Sequence, residues 1–112
     1  MTTCIFCQII AGESPARIIF RDDEVIAMHD IAPQAPTHIL ILPVRHIASL
    51  AEMQDSDGVL LGEMCRRAVT IARELGLPGY RLVINTGAQG GQTVGHVHIH
   101  LLGGRQMTWP PG

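Results

Sequence analysis

The 112-residue chain has no run of basic residues and no stripe of aromatic and basic residues, and its aromatic content is only 4%. Nucleic-acid binders need a basic footprint, so nucleic acid is not an expected partner. A single nucleotide remains possible, because one phosphate needs only a local site. No stretch of about 18 apolar residues is present, so no segment is expected to span a membrane. Met1 to Ile10 contain no basic residue and no long apolar run, which does not fit a signal peptide. Three cysteines, an odd number without an export signal, suggest reduced thiols in the cytoplasm. Repeats, low-complexity segments and linkers are also missing.

What is present suits one domain over residues 1–112. Apolar residues make up 46%, charged residues 16%, and the net charge is -2. That composition can fill one core without staples. Residues 4–11 are short and apolar and suggest one or two helical turns. Gly12-Glu13-Ser14-Pro15 reads as a turn. Ile18–Phe20 and Val25–Met28 read as strands joined by the polar hairpin loop Arg21–Glu24. After Pro33 and Pro36, His38 to Leu42 form a nearly continuous apolar strand suited to the middle of a sheet. A helix is expected over about 56–75, because Leu60, Met64, Ala68, Ile71 and Leu75 recur at helical spacing. Asp55 or Ser56 would cap its start and Gly76 its end. Arg66, Arg67 and Arg73 fall on its solvated face, and Cys65 reads as a small residue without a role. Tyr80–Asn85 is a further strand. Several strands with one long helix, and no regular βαβ alternation, predict an antiparallel α+β domain.

Three of the six histidines occupy alternate positions in His96-Val97-His98-Ile99-His100. On a strand they would line one face. Such a row suits nucleophilic catalysis, proton transfer or metal binding, and spacing alone leaves nucleophile, ligand and structural roles open. Just before it, residues 87–95 hold four glycines in nine positions. Glycine permits positive φ and close approach to a ligand, and successive N–H groups can cradle an anion. Thr93 adds a hydroxyl and Asn85 an amide. The loop lacks the Gly-Lys-Ser/Thr ending of a Walker motif, and a strand rather than a helix follows it. An anion cradle beside imidazoles suits phosphoryl transfer to histidine, with His98 as nucleophile and His96 and His100 beside it. Cys4-Ile5-Phe6-Cys7 has the spacing of a metal-ligand pair; unmetallated buried thiols are the plainer reading.

His96-Val97-His98-Ile99-His100-Leu101-Leu102 resembles the histidine triad (HIT) signature. The likeness extends over Phe6–Ile10, Ile18–Phe20, His29-Asp30-Ile31, Ala35-Pro36-Thr37-His38, Gly90-Gly91-Gln92, Gly103–Met107 and Trp109-Pro110-Pro111-Gly112, and is similar to the Hint branch. The resemblance implies a HIT-like fold: an antiparallel sheet of about five strands, one long helix and a short N-terminal helix. It implies a homodimer with one continuous sheet, and hydrolysis of purine nucleoside phosphoramidates such as adenosine monophosphate joined to an amine. It places His98 as nucleophile, His38 as its support and His100 at the phosphate. Asp30 would accept from the ribose, Ile31 would wall the nucleoside pocket, and Asn85, Gly91, Gln92 and Thr93 would serve the phosphate. Transferases of the superfamily typically have Gln where His100 stands, which favours hydrolysis. The terminal Trp-Pro-Pro-Gly resembles a segment that reaches the partner's active site, and argues against a dinucleoside polyphosphate hydrolase. Many bacterial relatives bind zinc, and the matching ligands here are Cys4, Cys7, His46 and His96, a closed structural site not needed for catalysis. A metal-dependent hydrolase with the triad as ligands and a nucleotide-binding module without turnover are the remaining alternatives.

Overall fold

The computed structural model describes residues 3–112. Its sheet has five strands: β1 (Ile18–Arg21), β2 (Val25–His29), β3 (Thr37–Pro43), β4 (Tyr80–Val83) and β5 (Ile99–Gly103). They run in the spatial order β1-β2-β3-β5-β4, every neighbouring pair antiparallel. A short helix α1 (Ile5–Ile10) precedes the sheet. A long helix α2 (Gly58–Glu74) connects β3 to β4. The expected α+β class and strand count are thereby met.

The two faces of the sheet are covered separately. Val25, Ala27, Ile39, Ile41, Ile99 and Leu101 pack against Met64, Ala68, Ile71 and Ala72 of α2. On the other face, Ile26, Met28, Leu40 and Leu42 pack against Phe6 and Ile9 of α1. A central strand covered on both faces must be apolar at every position, which explains the unbroken Ile39–Leu42 run. The hairpin between β1 and β2 is closed by Asp22, whose carboxylate accepts from the Glu24 and Val25 N–H groups at 2.8 Å. Those bonds hold its pKa below the usual carboxylate range. At the outer edge, the β1 register shifts between Ile18 and Phe20, a bulge.

Several details depart from the expectations. The histidine strand begins at Ile99, not His96. His96 sits at a bend with its N–H on the Val94 carbonyl, and the Val97 N–H goes to Ile47. Neither Asp55 nor Ser56 caps α2. Residues 55–57 form a 3₁₀ turn instead, in which the Asp57 carboxylate accepts from the Gln54 N–H at 2.9 Å and pairs with Arg45. The far end follows the expected pattern. Gly76 has φ +67°, its N–H reaches Arg73 and the Leu77 N–H reaches Ala72, a Schellman ending. Leu75 leaves the apolar stripe and is 53% exposed. Arg67 is not merely solvated, since its guanidinium lies 3.5 Å from the Phe20 ring centre and covers that ring.

Met64 is fully buried between α2 and the sheet. Met64→Ala should cost about 2–5 kcal/mol, through lost burial and the cavity left behind. Arg67→Ala should cost only about 0.5–1 kcal/mol, since that cation–π contact is partly open to water. Urea denaturation of both variants checks the ranking.

Candidate active site

The β3–β5 register puts Leu40 opposite His100 and His38 opposite Leu102. With Ile39, Ile41, Ile99 and Leu101 committed to α2, alternation turns His38 and His100 to the α1 face. There the two rings meet, with His38 Nε2 and His100 Nδ1 2.9 Å apart. His98 joins them, its ring centre 4.9 Å from that of His100. Phe6 on α1 closes the group, edge-to-face on both His98 at 5.1 Å and His96 at 5.8 Å.

Backbone partners determine where the protons sit. A carbonyl can only accept, so the 2.7 Å contact between His98 Nδ1 and the His96 oxygen places a hydrogen on Nδ1. His98 Nε2 is left with its lone pair. His38 Nδ1 accepts from the Gln34 N–H at 3.0 Å, so in its neutral form His38 Nε2 carries the hydrogen and donates to His100 Nδ1. His100 then bears its hydrogen on Nε2. Burial lowers the pKa of His100 to about 4, assisted by His98 and His38 and opposed by Asp30. Burial also lowers that of His38, against the pull of Asp30. Near neutral pH these two rings are therefore uncharged.

Asp30 serves two neighbours. One carboxylate oxygen accepts from the Ala32 N–H at 2.7 Å, closing the turn before Pro33, and the other lies 3.4 Å from His38 Nε2. Ile31 beside it is 98% exposed, an apolar side chain held out into solvent. Asn85 donates to the Gly90 carbonyl at 2.7 Å across the glycine-rich loop. Gly90 cannot carry a side chain, because a Cβ there would lie 2.3 Å from the Thr86 carbonyl oxygen. Gln92 is not a free phosphate ligand. Its amide nitrogen donates to Ala48 and Val94, and its oxygen accepts from Gly87, so it braces the loop. The Gly91 and Gln92 N–H groups bond to Ala88 and Gly87. They do not form the open cradle that the glycines suggested. Thr93 is exposed and lines a cavity of about 410 Å³ with Cys4, His46 and Gly95.

His96 belongs to a different cluster. Sγ of Cys4 and Cys7 and the ring nitrogens of His46 and His96 all lie within 4.8 Å of one another. Cys4 Sγ is 3.4 Å from His96 Nδ1, and Cys7 Sγ is 3.3 Å from His46 Nδ1 and 3.6 Å from His96 Nδ1. Bonds of roughly 2.3 Å to sulfur and 2.0–2.1 Å to nitrogen around a tetrahedral zinc ion place its ligands about 3.4–3.8 Å apart. Those three of the six ligand pairs already stand at about these spacings, and all six lie within 4.8 Å. His96 Nε2 lies 2.8 Å from the Pro43 carbonyl, which puts the hydrogen there and leaves Nδ1 with the lone pair a metal needs. Asp30, His38 and His100 form a second group of metal-ligand type. Its 2.9 Å nitrogen–nitrogen contact is shorter than the roughly 3.3 Å between two nitrogens on one zinc, and fits a hydrogen bond better. Neither group contains His98, so the three alternate histidines do not converge on one metal. The sequence reading missed Phe6 as the residue joining the two clusters; its place between Cys4 and Cys7 was the available signal.

Comparison with known proteins finds matches over nearly the whole chain. The family model described as "Scavenger mRNA decapping enzyme C-term binding" matches residues 3–109. The adenylylsulfatase HINT1 of Arabidopsis thaliana is 47% identical over 111 residues, covering 96% of this chain and 76% of that protein. A 14 kDa zinc-binding protein of Zea mays is 49% identical over 111 residues, covering 96% of this chain and 87% of its own. The crystal structure of a HIT family hydrolase from Legionella pneumophila superposes with a TM-score of 0.96 at 53% identity, covering 98% of this chain and all of the other. By its whole-length match, its fold and its histidine row, the chain belongs to the histidine triad family.

Proposed function

We propose that this protein hydrolyses purine nucleoside 5′-phosphoramidates, adenosine monophosphate joined through nitrogen to an amine, by way of a nucleotidyl-histidine intermediate at His98. The observation that carries this reading is the His98–His96 carbonyl bond. It holds one ring nitrogen protonated and leaves the other as a nucleophile without any change of protonation. The lone pair of His98 Nε2 attacks phosphorus, the P–N bond breaks with its electron pair going to nitrogen, and the amine leaves with a proton taken from solvent, which the water attacking in the second step gives back. Water then attacks the phospho-histidine, releasing the monophosphate and restoring His98. His100, kept neutral with its hydrogen on Nε2, donates to a phosphoryl oxygen as charge develops there. His38 acts through His100 by fixing that tautomer.

The Asp30 carboxylate takes the ribose hydroxyls, and Ile31 supplies an apolar wall for the base. Asn85, Gly91 and Thr93 stand on the phosphate side, with Gln92 holding the loop in shape. Cys4, Cys7, His46 and His96 hold a structural zinc, which cross-links α1 to the residues before β5. The active species is a homodimer whose sheets join edge to edge, and the protein works in the cytoplasm. Among the described residues no helix is long and apolar enough to cross a membrane. The Arabidopsis relative's name supports a second substrate, adenylyl sulfate, which offers the same adenylyl group to His98 with a different leaving group.

Turnover of a fluorogenic adenosine phosphoramidate should fall at least about 10³-fold in His98→Ala, as expected for loss of a nucleophile. Mass spectrometry of acid-quenched wild-type reactions should show a nucleotidyl adduct on His98. Turnover without an adduct would instead favour direct attack by water. Adenylyl sulfate assayed alongside decides between the two leaving groups.

The buried histidines also predict how stability responds to pH. His100 resists protonation in the folded state down to about pH 4. The unfolded chain takes up that proton near the ordinary value of about 6.5. The unfolded state thus binds more protons in this window, and the contribution of His100, complete above it, is lost as pH falls towards 4. Urea midpoints should drop across that window, and less steeply in His100→Gln. Equal slopes would contradict the burial argument.

A further inference from the structure

The metal-ligand cluster and the nucleophile share parts. His96 turns Nδ1 to the thiols and, through its main-chain carbonyl, accepts the hydrogen of His98 Nδ1. Phe6 lies between Cys4 and Cys7 and packs its ring edge-to-face on His98. Helix α1 has only six residues. A helix so short cannot sustain itself in water, so its position depends on what anchors it. Its anchors include the apolar Phe6 and Ile9, the Arg21 guanidinium on the Ile10 carbonyl at 2.8 Å, and the Cys4 and Cys7 thiols. Whatever bridges the four ligands therefore holds both the hydrogen-bond acceptor of His98 and the ring packed beside it.

The cluster is also reachable. Cys4 and His46 line the 410 Å³ cavity with Thr3, Ile5 and Thr93, and His46 is exposed. The Cys7 N–H points at Cys4 Sγ, 3.4 Å away, so both thiols sit on one turn. Their Sγ atoms lie within 4.8 Å of each other, near enough for side-chain rotation to bring the two sulfurs together.

We propose that this cluster is a redox-controlled metal site that governs the nucleophile. With zinc bound, Cys4, Cys7, His46 and His96 hold the His96 carbonyl and Phe6 against His98. Hydrogen peroxide removes two electrons from the paired thiolates: the sulfurs form a Cys4–Cys7 disulfide, both Zn–S bonds break, zinc leaves, and with two protons the peroxide becomes two waters. A disulfide no longer ties α1 to His46 and His96, so the acceptor and packing of His98 slacken and turnover falls. Cys65 takes no part, since it lies on α2 against the opposite face of the sheet. The consequence for turnover rests on the nucleophilic role of His98 proposed above; the coupling between the two sites does not.

The test uses the zinc-loaded full chain, titrated with hydrogen peroxide in the presence of a chromogenic zinc chelator. Zinc release, loss of two thiols and a drop in phosphoramidate turnover of about 10- to 100-fold should run in parallel, the size expected when a reacting group is slightly misplaced. A thiol reductant with zinc should restore all three. Proton NMR should show the His98 Nδ1–H resonance in the zinc form and its broadening or loss after oxidation, with circular dichroism unchanged. Cys4→Ser/Cys7→Ser should start with the lowered turnover and show no further response to peroxide.

The proposal is overturned if the purified protein holds no zinc, or if zinc leaves while turnover and the His98 resonance stay as they were. Inhibition that persists in the double serine variant, or global unfolding on zinc release, overturns it too. Should the zinc form have no phosphoramidate activity at all, the proposed reaction fails. The coupling is then decided by the His98 resonance and by adenosine monophosphate affinity, which Phe6 should transmit.

Discussion

Pairing of β3 with β5 sets Ile39 opposite Leu101 and Ile41 opposite Ile99, and turns all four towards α2. The same register leaves His38 and His100 with only the other face. A slip of one residue would send the imidazoles into the apolar core and the isoleucines towards the ligand side. Burial of an apolar face and assembly of a reactive one are thus one event. The free energy of the first holds the second in place.

The chemistry then follows from main-chain groups more than from acids or bases. The carbonyl of His96 and the N–H of Gln34 each leave one choice of tautomer, and the His38–His100 bond passes the second choice along. A backbone group neither titrates nor changes rotamer, so it fixes which nitrogen carries the hydrogen whenever the ring is neutral. Asp30 is attached to this chain from outside. Its 3.4 Å contact with His38 opposes the burial effect without overcoming it.

Much of this was legible in the residues. The helical spacing of Leu60, Met64, Ala68 and Ile71, the apolar run of β3 and the glycine after α2 each express one local rule, and each was found. The division of the histidine row was harder. Alternation predicted one shared face, but His96 lies before the ladder begins, where its ring follows the Cys4–Cys7 turn and not the pleat of β5. Gln92 was misleading for a related reason. An amide beside glycines fits a ligand contact in sequence, and only the folded loop shows that Ala48, some 44 residues earlier in the chain, occupies it. The cover of Phe20 by Arg67 likewise joins elements whose pairing no local pattern encodes.

The bulge in β1 has a consequence for assembly. A five-stranded open sheet has two rims where another strand could add. At one of them, the register shift between Ile18 and Phe20 breaks the regular row of backbone donors and acceptors that an incoming strand would need. The other rim, β4, keeps an uninterrupted register from Tyr80 to Val83. Growth is therefore blocked on one side and open on the other.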